Sequence, residues 1–63
     1  MKTLASVPYD YELLVDEHGA HFLDVCCGGV AMYVHREPLT PDEAATPAAI
    51  ERIARQIQQH GRR

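Results

Sequence analysis

Sixty-three residues bound this chain to one small domain, near the lower limit for folding without a disulfide, a metal or a partner. An apolar share of 46% with a formal charge of −3 argues against a disordered chain and gives no overall attraction for nucleic acid or anionic lipid. So small a core is most simply reinforced by self-association, and a homodimer is expected.

Residues 1–8, ending at Pro8, read as a loose lead-in. They hold no apolar run long enough for a signal peptide, and no segment of the chain is long enough to span a membrane. Cys26 and Cys27 are adjacent, and neighbouring strand side chains point to opposite faces, so they read as reduced thiols. A cytoplasmic protein is expected.

Residues 9–63 read as a single small α+β domain. Segments 9–16, 20–27 and 30–36 carry the alternation of an antiparallel meander. Glu17-His18-Gly19 predicts a three-residue loop closed by a left-handed glycine, which sets Leu13 opposite Leu23 and Tyr11 opposite Val25. Gly28-Gly29 predicts a two-residue turn, which sets Cys27 opposite Val30, Val25 opposite Met32 and Leu23 opposite Val34. Both registers gather one apolar set, including Tyr9, Tyr11, Leu13, Val25, Met32 and Val34, on one face. Pro38 is expected to end the third strand, because it has no amide to donate.

Thr40-Pro41-Asp42-Glu43 has the form of a capping box with proline at the first helical position. Pro47 removes a helical donor, so Thr46-Pro47 predicts a second start: a short turn, then the main helix. In that helix Ile50, Ile53, Ala54 and Ile57 form one apolar stripe, Glu51 and Arg55 pair on the outside, and Gly61 ends the element. The stripe needs an apolar surface, and the sheet has one. The expected architecture is a three-stranded antiparallel meander packed on one face by a C-terminal helix, β-β-β-α in two layers.

Four chemistries can be weighed on these elements. Leu23-Asp24-Val25-Cys26-Cys27-Gly28-Gly29 superficially resembles the first motif of methyltransferases that bind S-adenosylmethionine. Two cysteines interrupt its glycine pattern, a strand rather than a helix follows, and the chain is too short for a doubly wound sheet. No cofactor is expected. His18, His21, Cys26, Cys27 and His35 are scattered by the registers, whereas zinc needs about four converging ligands, so no metal site is expected. Cys26 faces Asp10 and Ala31, neighbours that favour the neutral thiol over a nucleophile. Glu12 and Asp24 could form an acid–base pair, but a flat sheet offers no pocket to tune them. No catalytic residue is assigned, and an enzyme is not expected.

The second sheet face has no cover. Its expected rows are Leu14–Phe22–His35, Glu12–Asp24–Tyr33 and Asp10–Cys26–Ala31. Glu12 opposite Asp24 sets like charges against each other, which calls for a cationic group from a partner. The chain therefore reads as a small non-catalytic protein-interaction module. Its contact residues are Glu12, Leu14, Phe22, Asp24, Tyr33 and His35, and pairing through the third strand's edge is the other dimer mode. The alternatives are a nucleic-acid-associated regulator using Arg52, Arg55, Arg62 and Arg63, or an accessory subunit of an enzyme. Arg62 and Arg63 also complement the negative end of the helix dipole. The meander-and-helix arrangement resembles the compact domains of HicB-type antitoxins, and arrangement alone carries no function across.

Overall fold

Four strands precede two helices in the computed structural model, which describes residues 1–28 and 33–62. They are β1 (Lys2–Val7), β2 (Tyr11–Val15), β3 (His21–Cys27) and β4 (Tyr33–Leu39), then α1 (Pro41–Ala44) and α2 (Pro47–His60). The strands pair antiparallel in the order β1-β2-β3-β4. The class is α+β as expected, with four strands in place of three.

The hairpin between β2 and β3 follows from Asp16 and Gly19. The Asp16 carboxylate accepts from the backbone amides of His18 and Ala20, both at 2.9 Å. The Gly19 amide donates to the Asp16 carbonyl at 3.1 Å, and Gly19 takes the left-handed φ of 83° that this loop requires. The two side-chain bonds, Ala20's the stronger influence, hold the Asp16 carboxyl below its ordinary pKa. Tyr11 pairs with Val25, Glu12 with Asp24, Leu13 with Leu23 and Leu14 with Phe22, the register that the sequence implies.

Three expectations are corrected. Residues 2–7, read as a loose lead-in, form an exposed edge strand against β2, with a bulge between Thr3 and Ala5. The turn that folds it back contains no glycine. Asp10 N donates to the Val7 carbonyl at 3.0 Å across Pro8 and Tyr9, and Tyr9 adopts φ 62°, a conformation that such turns usually reserve for glycine. The second correction is the register of β4. Cys27 faces Tyr33, Val25 faces His35 and Leu23 faces Glu37 instead of Val34, a displacement of three residues. Gly28 does not take the positive φ expected of it, and Gly29 lies outside the described residues. An odd displacement turns every β4 side chain to the other face. Val34 therefore leaves the helix side, and Tyr33 and His35 enter it. The positions expected for Val30, Ala31 and Met32 lie outside the described residues.

Pro38 sits inside β4 opposite Phe22 rather than beyond the strand's end. β4 is an edge, where a missing amide leaves no ladder bond unmade. The longer strand also carries Leu39 into the core, where it is 8% exposed.

The helices begin and end as their sequences specify. Thr40 and Glu43 complete a reciprocal capping box, at 3.2 and 3.0 Å, and Pro41 opens α1. Thr46 precedes Pro47 at the start of α2, and Gly61 closes it with φ 73°. Ile50, Ile53, Ala54 and Ile57 of α2 pack on Leu13, Leu23, Val25, Cys27 and Leu39. Leu23, Val25, Ile53 and Ile57 are essentially sealed from solvent. The helix covers one face of the sheet only.

Candidate interaction surface

Registers assign each strand residue to a face, and the face away from α2 carries three rows. One runs Thr3–Leu14–Phe22–Pro38 and the next Ser6–Glu12–Asp24–Arg36, while Cys26 and Val34 begin the third. Of the six contact residues expected from sequence, Glu12, Leu14, Phe22 and Asp24 lie here. Tyr33 and His35 do not. The displacement of β4 puts them on the helix side, and Val34, Arg36 and Pro38 stand in their place. No local signal in the sequence marks those three, because their face depends on a register set by distant contacts.

Leu14 is buried to 7% exposure although no helix lies over it. Its cross-strand neighbours Thr3 and Phe22 shield it from both sides. Phe22 and Cys26 are half-buried, and Val34 stays 60% exposed.

The charged row differs most from expectation. Arg36 donates from Nε and Nη2 to the two carboxylate oxygens of Asp24, at 2.7 and 2.9 Å. This bidentate bond raises the Arg36 pKa and answers Asp24 from within the chain. The cation expected from a partner is therefore already present for Asp24. Glu12, on the other flank of Asp24, is exposed, and its carboxylate makes no hydrogen bond or ion pair with a described residue.

Asp10 was expected beside Cys26 on the same face. Its carbonyl does accept the Cys26 amide at 2.8 Å, but its carboxylate turns to α2. There Arg55 donates from Nη1 and Nη2 at 2.7 and 3.0 Å, and Gln58 Nε2 donates at 2.7 Å. Gln58 Nε2 also lies 3.4 Å from the Cys26 carbonyl, so one clasp joins the β1–β2 turn, β3 and the helix. The Arg55 hydrogen bonds dominate and hold the Asp10 carboxyl below its ordinary pKa, against a smaller opposing effect of burial.

The clasp changes the basic set as well. Arg55 is engaged by Asp10 and also lies 3.8 Å from Glu51, while Arg52 and Arg62 are exposed. Arg63 lies outside the described residues.

On the helix side, His35 Nε2 is 3.0 Å from Glu37 Oε1. Tyr33 is 54% exposed, and its hydroxyl lies 3.8 Å from where a Cβ on Gly61 would stand. Contact with Cys27 pushes the Tyr33 hydroxyl above its ordinary pKa. His21 also faces this side, with a buried Nδ1 that has no hydrogen-bond partner among the described residues. His18 stays in its turn, 3.6 Å from Glu17. No three His, Cys, Asp or Glu side chains among the described residues converge as metal ligands would. No helix of the described residues is long and apolar enough to cross a membrane.

Comparison with known proteins finds no relative: no protein-family model, curated protein or solved structure matches this chain, so the likeness of arrangement to HicB-type antitoxins names no family.

Proposed function

We propose that this chain is a small, non-catalytic protein-interaction module that acts as a homodimer through the sheet face turned away from α2. The observation that carries the reading is an apolar rim, Phe22, Val34 and Pro38, around a charged row on a face that no described element covers. Exposed apolar side chains gathered on an uncovered face are typical of contact surfaces. The edges are poorer candidates. β1 carries a bulge and Lys2, and β4 carries Pro38, the devices by which sheets discourage edge pairing. Two free cysteines, one of them buried, favour a reducing compartment such as the cytoplasm.

Sedimentation equilibrium tests the surface. The wild-type chain is expected to rise with concentration toward twice its 7.0 kDa mass. Phe22→Ser and Val34→Ser are expected to stay monomeric with unchanged circular dichroism. Val34 is too exposed for its replacement to disturb the fold, so it guards against a trivial loss of structure. A wild type that remains monomeric at every concentration overturns the reading.

A further inference from the structure

The charges on this face select how two copies meet. Glu12, Asp24 and Arg36 stand on three successive strands in one row. Adjacent strands are about 4.8 Å apart, so Glu12 and Arg36 flank Asp24 at about 10 Å from each other.

Two sheets packed face to face by a two-fold axis lying between them have two simple choices. An axis running across the strands lays each strand on its own copy. Glu12 then meets Glu12 of the second copy, Asp24 meets Asp24 and Arg36 meets Arg36, so like charges oppose each other at all three positions of the row. An axis running along β3 lays β2 over β4 and β4 over β2. Glu12 then meets Arg36 twice, once in each direction, as a self-complementary two-fold contact requires, while Asp24 meets Asp24 at the axis, each already bonded to Arg36 of its own copy. Both arrangements keep the strands of the two sheets roughly aligned, the common geometry of packed sheets, and the second brings the two Phe22 rings together at the axis.

Arg36 is equipped to hold two carboxylates. Its bonds to Asp24 use Nε and Nη2, two of five guanidinium donors, and half of its side chain is exposed. Glu12 is the group in need of a cation. It faces Asp24 directly across β2 and β3, where like charges destabilise a sheet, and Asp24's arginine lies on the far side.

We infer that two copies of this chain associate about a two-fold axis running along β3, so that Glu12 of each copy meets Arg36 of the other. This rests on the proposed dimer through the open face and adds its geometry.

The test is a charge exchange read by sedimentation, with circular dichroism confirming the fold of each variant. Glu12→Arg alone and Arg36→Glu alone each turn both contacts repulsive and are expected to weaken dimerisation by about tenfold or more. The double variant Glu12→Arg/Arg36→Glu keeps one arginine beside Asp24 and restores both contacts between copies. Its dimer is expected to return to within about threefold of wild type. An equimolar mixture of the two single variants is expected to dimerise where neither does alone. If the wild type dimerises but the single variants do so equally well, this inference fails, and Phe22→Ser and Val34→Ser decide separately whether the contact face survives. A double variant as weak as the singles also overturns it. A monomeric wild type overturns both.

Discussion

Two turn residues with the same handedness have opposite consequences for stability. Gly19 has φ 83°, and a Cβ added there meets nothing within 4 Å, so replacement costs backbone strain alone. Gly19→Ala is expected to lower the unfolding free energy by about 1 kcal/mol. Tyr9 holds φ 62° as an ordinary L-residue and is 87% exposed, so it suffers the strain with little packing in return. Tyr9→Gly removes about 1–2 kcal/mol of strain and gives part of it back as chain entropy in the unfolded state. A net gain of roughly 1 kcal/mol is expected in urea unfolding at unchanged m-value. A loss instead would mean that the tyrosine ring contributes a contact of its own.

At the scale of elements, the clasp at Asp10 ties the first turn to the helix, and its charge makes that tie pH-dependent. The Asp10 carboxyl is held below its ordinary pKa by Arg55, and Asp16 is likewise lowered by its backbone bonds. Such groups contribute stability that is fully present above the ordinary aspartate range and is lost as pH falls through their lowered values. Asp10→Asn is therefore expected to cost about 1 kcal/mol at neutral pH and nothing in strong acid, where wild type and variant converge. Unfolding curves recorded from pH 7 down to pH 2 would reveal the convergence. The clasp also marks the boundary of what the sequence discloses. The β2–β3 hairpin, the capping box, the second helix start and the apolar stripe are local, each specified by residues within a few positions of one another. β1 announces itself poorly, because Lys2–Val7 lacks a buried alternation and its turn has tyrosine where glycine would be the signal. The β4 register is set by Arg36 reaching Asp24 and Leu39 entering the core, contacts between distant segments, whereas Gly28-Gly29 offers a plausible but wrong local turn. That single displacement preserved four of the contact residues and exchanged the other two.

For the whole molecule, the core is thin. Ile53, 2% exposed, lies between α2 and the sheet, and Ile53→Ala is expected to cost about 2–5 kcal/mol. That is comparable to the entire stability of a small domain, so the isolated variant is expected to unfold at room temperature. Association through the open face would raise the midpoint of unfolding with protein concentration, by mass action, and the melting temperature of the wild type is expected to climb between micromolar and millimolar samples. The bulge in β1 and the proline in β4 hem the sheet on both flanks, while α2 occupies one side. Growth through the open face is the direction left, and the proposed self-complementary pair would exhaust it. Concentrated solutions should therefore stay clear and free of fibrils, the ribbon closing on itself two at a time instead of lengthening.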